Sequence, residues 1–171
     1  MVEERVQRTS GHAANAPALK LDEFLPYRLN VCASLMSTAL SRIYVDRYKI
    51  GVPEWRVLVT LGELGMITDK AIGQHGHMHK TKVSRAIALL ERRKLVSRKA
   101  NRADLREAFL SLTPTGREIY NELAPIALDF SRRLMETVDS ADRAALDRAL
   151  SRLTECSAML TADIANTRAP R

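Results

Sequence analysis

The sequence predicts a mainly α-helical fold that carries one small β-hairpin. Three observations lead there. Apolar residues recur at intervals of three and four over long stretches towards both ends of the chain. The period shortens only between residues 95 and 112, where two short, partly alternating runs flank a polar stretch. Nearly all of the positive charge falls in one helix and that hairpin. With 171 residues, 46% hydrophobic and 27% charged, the composition is that of a globular domain with a core of its own.

Residues 1–20 hold Gly11, Ala13, Ala14 and Pro17 without apolar periodicity and read as a flexible tail. A first long helix should open near Pro26, since proline at the first helical position gives up an N–H that has no partner there. Leu29, Cys32, Leu35, Met36, Leu40, Ile43 and Tyr44 form its stripe, and Gly51 and Pro53 stop it. Pro53 starts a shorter helix with Trp55, Leu58, Val59 and Leu61 inward, closed by Gly62 and Gly65. Thr68 is placed to cap a third helix, kept short by Gly73 and Gly76. The fourth runs from His79 to Arg93 and buries Val83, Ile87 and Leu90. Residues 95–99 and 108–112 make the hairpin, with a basic tip at 101–106. Thr113-Pro114 then opens a helix striped by Ile119, Leu123, Ile126, Phe130 and Leu134, with Pro125 as an expected kink. A last helix begins near Asp139 or Ser140 and carries Leu146, Leu150, Leu153, Leu160 and Ile164.

Composition excludes several classes. The net charge of +7 and a pI near 9.8 favour a polyanionic partner, nucleic acid before an anionic membrane. Two cysteines are too few for a disulfide-stapled secreted fold. No apolar run approaches the roughly 20 residues of a membrane span, and Glu3, Glu4 and Arg5 interrupt any secretory signal. The expectation is a cytoplasmic protein. No Gly-rich phosphate loop, Ser–His–Asp order or dense carboxylate cluster suggests an enzyme, and no cofactor is implied.

Residues 80–106 carry ten cations against two acids, Glu91 and Asp104, so the rest of the chain is close to neutral. The outer face of helix 79–93 offers Lys80, Thr81, Lys82, Ser84 and Arg85, a mixture of cations and short hydroxyls suited to phosphates and base edges. A membrane-binding helix would instead carry bulky aromatics opposite its cations.

Several fragments, in order, resemble the MarR family of dimeric winged helix-turn-helix regulators over residues 21–165. They are Leu25-Pro26-Tyr27-Arg28-Leu29, Pro53-Glu54-Trp55-Arg56-Val57-Leu58, Lys80-Thr81-Lys82-Val83-Ser84-Arg85 and Leu90-Glu91-Arg92-Arg93-Lys94-Leu95-Val96. Last comes Asp104-Leu105-Arg106 ahead of Leu110-Ser111-Leu112-Thr113-Pro114-Thr115-Gly116. The resemblance implies a winged helix-turn-helix over residues 51–113, flanked by dimerisation helices over 21–50 and 114–166. It implies a homodimer on double-stranded DNA, with helix 79–93 in the major groove and Arg106, held by Asp104, in the minor groove; the charges of Lys80, Lys82, Arg85, Arg98 and Lys99 are expected to neutralise phosphates, with Arg102 in the same DNA-binding surface. It further implies a repressor released by a small aromatic acid or its CoA thioester, with Arg28 pairing a carboxylate and Cys32, Met36, Trp55 and Phe130 forming apolar walls. Two departures stand out. Lys94 replaces the family's usual helix-ending glycine, and His79 sits where a better capping residue is common.

Other readings of the same fold remain open. Cys32, in the first helix, would be the reactive thiol of a redox sensor, although its apolar phase predicts a buried, inert one. His75, His77 and His79 would be the nucleus of a metal sensor, although no cysteine or carboxylate partner is close in sequence. A non-specific nucleic-acid binder would need only the charge.

Overall fold

Proline, glycine and hydroxyl side chains set most of the element boundaries in the computed structural model, which describes residues 18–101 and 107–168, with side chains to residue 163. In chain order come α1 (Leu25–Tyr48), α2 (Val52–Leu64), β1 (Ile67–Thr68), α3 (Asp69–His75), α4 (Lys80–Arg92), β2 (Val96–Ala100), β3 (Ala108–Leu112), α5 (Pro114–Glu136) and α6 (Ser140–Arg168). Thr68 caps α3 by accepting from the Ala71 N–H, and Thr113 caps α5 by accepting from the Gly116 N–H at 3.1 Å.

The chain divides into two units, residues 1–39 and 40–171. In the first, a turn closed by the Lys20–Glu23 ion pair leads into α1, whose Leu25, Leu29, Leu35 and Met36 are exposed. In the second, Tyr44 and Ile50 pack with Trp55, Leu58 and Leu61 of α2, Ile72 of α3, Val83, Ile87 and Leu90 of α4, Leu110 of β3 and Leu123 of α5. Trp55 stacks on Tyr44 with ring centroids 5.3 Å apart.

Two details differ from the sequence reading. The hairpin has a third strand: β1 pairs with β3, Ile67 opposite Leu110, giving the antiparallel order β1-β3-β2. Two residues are too short to show alternation, so this strand left no trace in the pattern. Gly62 does not end α2, which runs on to Leu64 and stops at Gly65 with φ +76°. Gly62 is instead where Tyr120 of α5 lies against the helix, and a side chain there would overlap that ring. Pro125 lies inside α5, which continues past it to Glu136.

The end of α4 explains two of the resemblance's fragments at once. Lys94 adopts φ +57°, so the left-handed residue expected of glycine is present, in lysine form. The Leu95 N–H reaches Leu90 O at 2.9 Å and the Lys94 N–H reaches Glu91 O at 2.9 Å, the paired bonds of a Schellman ending. The next segment docks onto this turn. Thr113 N–H donates to Leu95 O at 3.0 Å and Thr113 Oγ1 donates to Lys94 O at 2.7 Å. Gly116 lies so close that a Cβ would stand 2.0 Å from Leu95 O.

Two substitutions at this junction should act in opposite directions. Gly116→Ala forces backbone apart and should cost about 2–3 kcal/mol, read as a fall in the urea midpoint. Lys94→Gly relieves a left-handed side chain against a modest entropy cost and should stabilise by about 0.5–1 kcal/mol.

Candidate nucleic-acid interface

Four residues of α4, Val83, Ala86, Ile87 and Leu90, are buried, and they define its inner face. At 3.6 residues per turn the opposite face is Thr81, Arg85, Ala88 and Arg92, all exposed. Lys80 and Ser84 lie on one flank together with Glu91, and Lys82 lies on the other with Leu89. The face turned away from the core therefore shares Thr81 and Arg85 with the sequence expectation and extends further along the helix. Arg92 joins it, while Lys82 and Ser84 move to its edges. Helical periodicity anchored on the buried positions would have found Arg92.

The start of α4 is fixed by His79, whose Nδ1 accepts from the Thr81 N–H at 3.3 Å. Histidine therefore does cap this helix, in the tautomer that leaves Nδ1 unprotonated.

The cations of residues 80–106 are not equivalent. Arg93 turns back onto the end of α1, donating to Tyr48 O at 2.6 Å and Lys49 O at 3.0 Å. These terminal carbonyls lack helical partners and form the negative end of the helix dipole, so a guanidinium suits them doubly. Arg98 shares the face of β2 that bears buried Val96 and pairs with Glu91 through two bonds, Nε at 2.8 Å and a second nitrogen at 3.3 Å. The hydrogen bond to Glu91 raises the Arg98 pKa further above its usual value. Lys99 points to the other face of β2 and is exposed. Arg102, Asp104 and Arg106 lie outside the described residues.

Next to Arg93, the end of α1 is tied to α5. Arg47 pairs with Glu122 at 2.8 Å, and the Tyr48 hydroxyl donates to the same carboxylate, which raises the tyrosine pKa. Two cavities flank α4. One of about 590 Å³ is lined by Asp69, Lys70, Gln74, Lys80, Val83 and Glu107. The other, of about 290 Å³, opens between the starts of α2 and α4.

Residues 50–108 match the MarR family. That segment, about a third of the chain, is similar to the MarR family. A MarR-family regulator from Silicibacter pomeroyi is 26% identical and superposes with a TM-score of 0.68, over 80% of this chain and 91% of that one. Sco3205 of Streptomyces coelicolor, solved in complex with DNA, is 22% identical with a TM-score of 0.72, over 83% and 91%. Bordetella bronchiseptica BpsR, whose DNA binding is regulated by 6-hydroxynicotinic acid, is 21% identical with a TM-score of 0.71, over 81% and 98%. No curated protein gives a match. Among the described residues no helix is long and apolar enough to cross a membrane.

The remaining expected site residues fall as follows. Arg28, Cys32 and Met36 are exposed on the part of α1 that belongs to the first unit. Trp55 is 8% exposed and committed to its stack with Tyr44, while Phe130 of α5 is half-buried. Cys32 was expected to be buried; in the single chain it is exposed, as is Cys156, and both are free thiols. His75 bonds Glu63 at 3.1 Å rather than its neighbouring histidines. Among the described residues no three metal-ligating side chains gather.

Because Arg93 holds backbone while Lys82 makes no ion pair among the described residues, their removal should separate in thermal unfolding. Arg93→Ala should destabilise by about 1–2 kcal/mol, and Lys82→Ala by less than about 0.5 kcal/mol.

Proposed function

We propose that this chain acts as a MarR-family homodimeric repressor that releases a pseudo-palindromic operator when it binds a small aromatic acid or its CoA thioester. The observation that carries the reading is the outward face of α4, where Thr81, Arg85 and Arg92 stand opposite the buried Val83, Ala86, Ile87 and Leu90. A helix held this rigidly, with hydroxyl and guanidinium groups outward, suits a major groove. Lys80, Lys82 and Lys99 supply phosphate neutralisation, and Asp104 and Arg106 are assigned to the wing and the minor groove on the resemblance alone.

Pairing with a second copy is supported by what one chain leaves bare. Every described side chain of α6 is exposed, including Leu146, Leu150, Leu153 and Leu160. Leu25, Leu29, Leu35 and Met36 of α1 are exposed as well. Helical stripes of this kind are buried in a stable protein, and two-fold pairing is the commonest way. The aromatic effector is supported by the kinship in fold with BpsR, which responds to an aromatic acid. Trp55 is a core residue and is not counted among the effector's contacts.

The test is a titration of the purified protein on its own upstream region and on random duplex, repeated with a panel of aromatic acids, their CoA esters and peroxide. Light scattering should give twice the 19.1 kDa chain mass. Tight upstream binding, at least about a thousandfold over random duplex and released by one of the aromatics, is expected. Release by peroxide and not by aromatics would transfer the switch to Cys32, and equal affinity for both duplexes would end the repressor reading. Arg85→Ala should lower the slope of log K against log salt by about one.

A further inference from the structure

We propose that the cavity between the starts of α2 and α4 is a seat for one backbone phosphate of bound DNA, with Arg56, His77 and Lys82 as its donors. The proposal rests on the DNA-binding reading and adds to it a contact outside the outward face of α4 and the wing.

The first observation is the chemistry of the wall. The cavity holds about 290 Å³ and is lined by Val52, Pro53, Arg56, His77, Met78, His79 and Lys82, with no carboxylate. The larger cavity on the opposite flank of α4 mixes Lys70 and Lys80 with Asp69 and Glu107, so its charges compensate one another. A third cavity, on the outward face of α4, sets Arg85 and Arg92 beside Glu91, so of the three only the smallest gathers nitrogen donors without a carboxylate. Among the described residues neither Arg56 nor Lys82 makes an ion pair with a carboxylate. A size at the lower edge of ordinary small-molecule pockets, with only cationic and imidazole polar groups in the wall, suits a single anionic group of a larger ligand.

The second observation is backbone strain. His77 adopts φ +47°, the left-handed region, where a side chain costs about 1–2 kcal/mol that glycine would avoid. Gly76, next to it, has φ −81° and so does not serve the turn's left-handed position. A glycine lies one residue from where the backbone would favour it, and the residue that bears the strain places an imidazole in the cavity wall. Strain that persists at a ligand-facing position points to a role for the side chain. His79 contributes from the same wall, its Nδ1 occupied by the Thr81 N–H and its Nε2 left to donate outward.

The third observation is direction. Lys82 lies on the flank of α4 that faces α2, a quarter-turn from the outward stripe, and Arg56 projects from the first turns of α2 towards the same opening. A lysine there approaches a groove-bound duplex from its edge, where the phosphates run, and not across its base pairs.

The experiment measures binding of the full chain to a random-sequence duplex over a salt series, with Arg56→Gln, Lys82→Gln and His77→Gly beside the unaltered protein. Arg56→Gln and Lys82→Gln should each weaken binding about five- to tenfold near 0.1 M salt and flatten the salt slope by about 0.9, with the preference for the protein's own upstream region over random duplex unchanged. His77→Gly should melt at a higher temperature yet bind DNA more weakly. A purely structural role would move both in the same direction or leave binding untouched. Should His77→Gly melt lower, His77→Asn, also tolerated in the left-handed region, takes its place. Wild-type slope and affinity in Arg56→Gln and Lys82→Gln, alongside a flattened slope in Arg85→Ala, overturn the seat and leave DNA binding standing. No duplex binding by the unaltered protein overturns both. If inorganic phosphate alone shifts the His77 imidazole resonances while the variants keep the wild-type salt slope, the site belongs to a free anion and the assignment to DNA fails.

Discussion

The turn at residues 93–95 is the constraint on which the rest of the molecule depends. Here α4 must stop, β2 must start, and two other elements converge on the stop. The left-handed Lys94 closes the helix, and Leu95 buries its side chain while its N–H and carbonyl face Leu90 and Thr113. Thr113 and Gly116 bring α5 against the same carbonyls, and Arg93 fastens the end of α1. Each bond is ordinary in strength, about 1 kcal/mol net. Their concentration within three residues makes the orientation of α4 a property of the junction more than of the helix itself.

The same junction sorts the charge. Read as a string, residues 80–106 are a uniform basic block. In the fold, two of the arginines are committed to protein partners: Arg93 to backbone carbonyls and Arg98 to Glu91. A duplex would have to share or displace these protein partners to be neutralised by the same guanidiniums, whereas the other described cations of this stretch carry no such competitor. What remains falls into separate stations. Arg85 and Arg92 stand on the outward stripe, Lys80 and Lys82 on either edge of α4, and Lys99 on the solvent face of the wing. This is a surface with a direction, and direction is what separates a groove reader from a merely basic protein.

Much of this was legible in the sequence, for physical reasons. Helix boundaries were marked because Thr68, Thr113 and the two N-terminal prolines act locally, through bonds and steric effects within one turn. The need for a left-handed residue before Leu95 was legible too, although lysine occupies the position. What sequence could not show was anything set by a distant partner. Gly62 looked like a helix end because nothing nearby revealed Tyr120. Trp55 looked like a ligand wall because its stacking partner, Tyr44, belongs to the preceding helix. Arg93 and Arg98 looked like free cations because their acceptors lie 45 and 7 residues away. The residues expected on the outer face of α4 all lie outside the core, and the buried positions add Arg92 to it, which a reading from local charge did not single out.

The exposed α6 bears on how such a protein would respond to a ligand. Its 29 residues bury no described side chain in the single chain, and a helix of that composition gains little from propensity alone in water. The proposed second copy would supply the missing contacts, which makes the order of α6 and the pairing of chains one equilibrium, dependent on concentration. In such a dimer the spacing of the two α4 helices is set by the pairing helices, while the pose of each α4 is set by its own junction at residues 93–95. An effector therefore has little leverage on the rigid junction. It acts most cheaply on the pairing region, where a few degrees of rotation change the separation of two otherwise unaltered reading heads, and a duplex with fixed half-site spacing registers that change as lost affinity.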